Sequence, residues 1–136
     1  MSYLVDTNVL SELRRKAPAK TVVDWFSQRP AGVLYISVLT LGEIRKGVES
    51  LAVGECKAAL QDWLEIDLPA FFAGRILNID TAVAQRWGVL IADARRPLPV
   101  IDSLLAATAL AHNLTVVTRN TADFDGLPVP IVNPWA

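Results

Sequence analysis

Short runs of β-branched and aromatic residues alternate with helical stretches along this chain. That alternation constrains the fold more than any other feature. Tyr3 to Val5 is the first such run, ending at Asp6. Val33 to Ile36 is closed by Ser37, Ile76 to Ile79 is brief, Leu114 to Thr118 is clear, and Ile131 to Val132 is a short last strand. Between them, apolar residues recur at helical spacing. Asn8 to Arg15 reads as a helix stopped by Pro18, and Ala19 to Gln28 as one ended by Pro30 and Gly32. Thr40 to Leu51 returns to helix, and Cys56 to Leu64 carries another apolar stripe before Pro69. Asp80 caps a helix expected to bury Val83, Trp87 and Ile91, and Ile101 to His112 is helical and Ala-rich. Strands that alternate with helices specify an α/β domain with a mostly parallel sheet. Strands lacking strict polar alternation are buried on both faces. A length of 136 residues suits one domain, 1–136.

Charge and composition narrow the function. The formal net charge is -1, unlike proteins that grip nucleic acid by a broad basic surface. Any contact with RNA or DNA must run through a few Arg and Lys or through a bound cation. Cys56 is the only cysteine, so no intramolecular disulfide forms and a reducing compartment is expected. The first residues read as a strand rather than a signal peptide, and the charge-poor run Ser103 to Ala111 is too short to span a bilayer. The expectation is a cytoplasmic protein without a membrane segment. Hydrophobic residues make up 52% of the chain, and mean hydropathy is +0.34. For a small chain, that richness predicts apolar surface facing a partner or a second copy.

In parallel α/β sheets, ligands bind outside the carboxyl ends of the strands. Asp6 directly follows the first strand, and Asp123 lies just beyond the Leu114 to Thr118 strand. Asp102 sits in the first turn of the Ala-rich helix, and Glu43 lies one turn into the helix after the second strand. Clustered carboxylates repel and raise one another's pKa. A hard divalent cation removes that cost and favours oxygen ligands. Such a site activates water and clamps a phosphodiester oxygen. Each acid also has a local reading. Asp6 is a helix N-cap, Asp102 complements a helix dipole, Asp123 makes an Asx turn before Phe124, and Glu43 pairs with Lys46 at i+3. Spacing by itself does not choose between these.

Four segments carry a family resemblance. They are Tyr3-Leu4-Val5-Asp6-Thr7-Asn8-Val9-Leu10-Ser11-Glu12-Leu13, Ser37-Val38-Leu39-Thr40-Leu41-Gly42-Glu43-Ile44, Ile101-Asp102-Ser103-Leu104-Leu105-Ala106-Ala107-Thr108-Ala109 and Thr118-Arg119-Asn120-Thr121-Ala122-Asp123-Phe124. The ending Val132-Asn133-Pro134-Trp135 matches as well. In this order and over nearly the full length, the chain resembles the PIN-domain family, and within it the VapC-type toxins of toxin–antitoxin pairs. The resemblance implies a three-layer α/β/α sandwich around a short, mostly parallel sheet. It implies that Asp6, Glu43, Asp102 and Asp123 form the catalytic, metal-binding acidic quartet, with Mg2+ or Mn2+ as cofactor. The implied activity is endonucleolytic cleavage of RNA by water activated at the metal. Asn8, Thr118, Asn120 and Arg119 would orient ligands or substrate. The implied partners are the RNA substrate, a cognate antitoxin that blocks the site, and a second toxin copy. DNA would be reached only through the antitoxin. The Cys56 to Gly74 stretch carries no family signature.

The remaining candidates favour plainer roles. Arg14, Arg15 and Lys16, and likewise Arg95 and Arg96, read as solvated surface before phosphate contacts. His112 sits at a helix end, where its charge suits the dipole. Trp25, Trp63 and Trp87 fit apolar stripes, and Trp135 is exposed or interfacial. A phosphatase of the haloacid-dehalogenase type needs a second Asp two places after the first, where Asn8 stands. A receiver-type switch needs paired acids after the first strand and a Lys after a late one, where Arg119 stands. The rivals within the fold are a DNA nuclease and a PIN-like binding scaffold of weak activity.

Overall fold

The computed structural model describes residues 1–136. Its elements run β1 (Tyr3–Val5), α1 (Thr7–Leu13), α2 (Lys20–Ser27), β2 (Leu34–Ser37), α3 (Val38–Glu49), α4 (Glu55–Asp62), α5 (Leu68–Phe71), β3 (Ile76–Leu77), α6 (Thr81–Ala94), α7 (Val100–His112), β4 (Thr115–Val117) and β5 (Ile131–Val132). The five strands form one parallel sheet in the order β3-β2-β1-β4-β5. In the central pair, Tyr3 aligns with Thr115 and Val5 with Val117.

Alternation along these strands creates the layers, because successive side chains point to opposite faces. Val5 and Val117 pack on one face with Val9, Val22, Ile44 and Phe72 from the first helices. Leu4 and Val116 pack on the other with Leu90, Leu105, Ala106 and Ala109 from α6 and α7. The result is the three-layer α/β/α sandwich with a short parallel sheet that the sequence implies. No helix is long and apolar enough to cross a membrane.

Local chemistry sets the helix boundaries. Ser37 closes β2 and caps α3 by accepting the Leu39 N–H at 3.0 Å, so that helix starts at Val38 rather than Thr40. α7 ends where Asn113 takes a left-handed conformation, φ 56, which Asn tolerates better than most residues. Asp80 caps α6 through the Val83 N–H at 3.0 Å. Replacing Asp80 with Ala is expected to cost about 1 kcal/mol. A thermal melt should show that as a loss of roughly 3 °C in Tm.

Three expectations need correction. Pro69 does not end the fourth helix. The helix widens into a π turn, Trp63–Asp67, and continues as α5 with Pro69 in its first turn. The wide turn falls where Pro69 has no N–H to give the helix ladder. On α6, the buried residues are Val83 and Leu90, whereas Trp87 and Ile91 are half-buried. The β3 run pairs only through Ile76 and Leu77, and Asn78 and Ile79 lie outside the strand.

Candidate active site

From β1 the chain builds the sheet outward to β2 and β3, and then returns to the other side of β1 for β4 and β5. The connections therefore diverge between β1 and β4, and the crevice beyond their carboxyl ends is the natural ligand site. Asp6 leaves β1 there and Thr118 leaves β4. The Asp6 N–H donates to the Val117 carbonyl at 2.9 Å, which holds the two strand ends together.

The Asp6 side chain is fixed on both oxygens. Oδ1 accepts the Thr7 N–H at 2.7 Å, so Asp6 is also the N-cap of α1. Oδ2 accepts the Thr118 hydroxyl at 2.8 Å and, at a longer 3.4 Å, the Asn8 amide. Thr118 is fully buried. Its hydroxyl oxygen accepts the Asn8 amide at 3.2 Å and the Asn120 N–H at 3.0 Å. Asn8 in turn accepts the Arg119 N–H at 3.3 Å. The motifs after β1 and β4 are thus one hydrogen-bonded unit, and Asn8, Thr118, Arg119 and Asn120 all belong to it.

Glu43 arrives from α3, where its Oε1 accepts the Thr7 hydroxyl at 2.6 Å. The chain's ion pairs are Arg15–Glu12, Lys20–Asp24, Arg45–Glu49 and Arg45–Glu65, so Glu43 is not spent on Lys46. Asp102 enters from the first turn of α7. Asp123 enters from a 3-10 turn, Thr121–Phe124, and its N–H donates to the Asn120 carbonyl at 3.1 Å.

These acids feel one another. Burial, then the Asp123 carboxyl at hydrogen-bonding range, then the charges of Asp6, Asp123 and Glu43 push the Asp102 carboxyl up to about 7. Burial also raises Asp6, helped by Glu43 and Asp123 and opposed by the Thr118 and Thr7 hydrogen bonds. The cluster therefore lacks positive charge and offers only oxygen donors, the ligand preference of a hard divalent cation. No three of the acids close into a preformed cage. Asp6, Glu43 and Asp102 border an open cavity of about 470 Å³ whose lining residues, Trp135 apart, are polar or charged.

The structure adds Glu12 to the residues singled out from sequence. It is buried, accepts the Ala19 N–H at 2.8 Å and pairs with Arg15 at 3.3 Å. The Ala19 N–H, then Arg15, hold its carboxyl below the usual range against the opposing effect of burial. Glu12 borders the acidic cavity but ties the end of α1 to the start of α2. The visible signals were its place inside the matching Ser11-Glu12-Leu13 segment and Arg15 at i+3.

The other candidates separate cleanly. Arg15 borders the cavity, and Arg14 lies over the Trp63 ring at 5.3 Å. Lys16 is exposed, and Arg96 donates to the Asp125 carbonyl at 2.7 Å. His112 lies beside Met1, Ser2 and Leu114, at the amino ends of β1 and β4 and thus across the sheet from the acids. Trp25 packs edge-on against Tyr3, and Trp87 donates to the Ser103 hydroxyl at 2.9 Å, both structural roles. Cys56 is exposed and free.

Comparison with known proteins agrees with this fold. The PIN-domain family profile matches residues 3–128. "VapC ribonuclease Y4jK" of Sinorhizobium fredii is 35% identical over 135 residues, covering 97% of this chain and 96% of the relative. The crystal structure of FitAcB from Neisseria gonorrhoeae contains a chain that is 38% identical, with a TM-score of 0.92 over 98% of each chain. A toxin–antitoxin complex from Klebsiella pneumoniae contains one that is 29% identical, with a TM-score of 0.76 over 98% of each chain. A profile match over almost the whole length, and relatives that align end to end, place this chain in the PIN-domain family.

Proposed function

We propose that this protein is a divalent-metal-dependent endoribonuclease, the toxin of a type II toxin–antitoxin pair, with residues 1–136 forming one nuclease domain. The observation that carries the reading is that Asp6, Glu43 and Asp102 border one cavity beside the β1–β4 crevice, with Asp123 at hydrogen-bonding range of Asp102. Its support is the ribonuclease named among the relatives and the toxin–antitoxin complex among the structural neighbours.

Asp6, Asp102, Asp123 and Glu43 would hold magnesium or manganese. The bound ion supplies Lewis acidity toward a phosphodiester oxygen and lowers the pKa of water. The protein's own part is orientation and charge. Thr118 and Asn8 hold the Asp6 carboxylate aimed outward from the strand end, and Thr7 holds Glu43. Burial and the neighbouring carboxylates favour the protonated form of Asp102, so a bound cation would displace a proton from it. The polar cavity admits an extended phosphate chain, and Arg15 and Arg119 at its border offset the carboxylate field.

The partners follow from the same reading. A cognate antitoxin covers the acidic cavity and blocks cleavage, and DNA is engaged only through it. Val89 on α6 and Val100 at the start of α7 are 54% and 62% exposed, apolar surface that suits a second toxin copy. The workplace is the cytoplasm, where RNA and magnesium are present.

The test is cleavage of single-stranded RNA by the purified protein. Cutting is expected with magnesium or manganese, to stop with excess EDTA and to return with added manganese. Unchanged cutting in EDTA would reject the metal site. Cutting of DNA but not RNA would move the assignment to the DNA nuclease.

A further inference from the structure

Arg119 and Trp135 both border the acidic cavity, yet neither is needed to orient the acids through its side chain. Trp135 is the single apolar residue in that lining. The Arg119 guanidinium lies over its indole, 5.0 Å from the ring centroid. None of the chain's ion pairs uses Arg119, although its charge reaches Glu12. This cation therefore stands beside the carboxylates with its N–H groups uncommitted.

Both residues are fixed from behind. The Arg119 N–H donates to Asn8, and the neighbouring Asn120 N–H donates to Thr118. The Trp135 N–H donates to the Asn133 side chain at 2.9 Å, just after β5, and Pro134 before it is buried. Trp135 is half-buried, with part of its surface packed on the core of the first face and part bordering the cavity. A rigid aromatic surface with a cation above it, at the rim of a cluster that repels phosphate, has the chemistry of a nucleotide clamp.

We propose that Arg119 and Trp135 form a nucleotide-binding subsite, in which the guanidinium holds a backbone phosphate and the indole stacks on the base of single-stranded RNA beside the bond that is cut. The proposal rests on the ribonuclease reading and names the form of RNA it takes. A base paired in a duplex is already stacked on its neighbours and unavailable to the indole, so the subsite selects loops and unpaired segments. Stacking on one ring face tolerates any base, so this pair sets strandedness rather than sequence. The guanidinium also supplies, at one point, the positive charge absent from the overall composition.

The test uses Asp102→Asn protein with magnesium, so that bound RNA is not consumed, and a fluorescein-labelled single-stranded RNA of mixed sequence. Trp135→Leu is expected to weaken binding by about tenfold or more, whereas Trp135→Phe keeps it within about threefold. Arg119→Ala is expected to weaken binding and reduce the salt dependence by about one counterion. A duplex of the same sequence should bind with no dependence on Trp135. With Asp102 restored, both losses should appear mainly as raised KM, with kcat little changed. Unaltered RNA affinity and KM in Trp135→Leu and Arg119→Ala would overturn the subsite while leaving the ribonuclease reading intact. If Trp135→Leu does not fold, Arg119→Ala with an unchanged salt slope overturns it equally. If the unsubstituted protein neither binds nor cuts RNA, the ribonuclease reading fails and takes the subsite with it.

Discussion

Asp102→Asn is expected to abolish RNA cleavage, lowering the rate by roughly three orders of magnitude, or about 4 kcal/mol of barrier. The substitution keeps the side chain's size and removes one carboxylate from the centre of the cluster, where Asp123, Asp6 and Glu43 all act on it. Fewer negative oxygens hold a divalent cation less tightly, and the remaining ligands no longer fix its position. Asp6→Asn is expected to act similarly, because the Thr118 hydroxyl that steadies the carboxylate would then face an amide. Its chemistry differs in one respect. Asp6 also caps α1, but Asn caps as well as Asp, so the helix start survives. Both variants should keep the circular-dichroism spectrum of the parent. In cells, expression without the antitoxin is expected to arrest growth, and either substitution to relieve the arrest. Full nuclease activity in both folded variants would remove these acids from the mechanism.

The sheet was legible because its strands are short apolar runs whose ends are marked by Asp6, Ser37 and Thr118. Parallel pairing then follows from the helices between them. The position of Asp6 at the switch crevice followed from the strand-end rule. The meeting of all four acids did not, since Asp6 and Asp102 each have a local role as well, one as an N-cap and one in a helix's first turn. What separates the readings is tertiary. Thr7 reaches Glu43 across 36 residues, and Thr118 reaches Asp6 across 112. No local spacing encodes such contacts, so the family resemblance supplied the grouping. The stretch after Cys56 was hardest to read, because Pro69 signals a helix end by itself and a π turn becomes possible only with the packing of Leu64, Leu68 and Phe72 into the core. Glu12 was overlooked for a similar reason. Its partner, the Ala19 N–H, is a backbone group made available only when the chain turns between α1 and α2.

Without divalent cations, the folded protein is expected to lose stability as pH rises from about 4 to above 7. The Asp102 carboxyl titrates near 7 in the folded chain against an ordinary 3.8. Folding thus favours its protonated form. The stabilisation is fully present below the unfolded value and is lost as pH climbs through the folded one. Asp6, also raised, contributes in the same direction. A shift of this size would correspond to about 4 kcal/mol for a fully buried group. Asp102 is only half-buried, and solvent screening reduces the expected effect to about 1–2 kcal/mol. Thermal melts in EDTA at pH 5 and pH 8 should therefore differ by several degrees, the alkaline melt being lower. Magnesium or manganese would take the place of the Asp102 proton, stabilising the fold by about 2.7 kcal/mol at a hundredfold excess over Kd, and the rise in Tm should be larger at pH 8 than at pH 5. Asp102→Asn is expected to weaken both dependences, leaving the part that Asp6 contributes. Its metal-free form should melt above the parent at pH 8, because the amide carries no charge to repel Asp123. Activity and stability then move in opposite directions on one substitution, as expected where carboxylates are crowded for a cation rather than for the fold. Melts that stay level from pH 5 to pH 8, or equal metal stabilisation of parent and Asp102→Asn, would show that the acids do not share a cation.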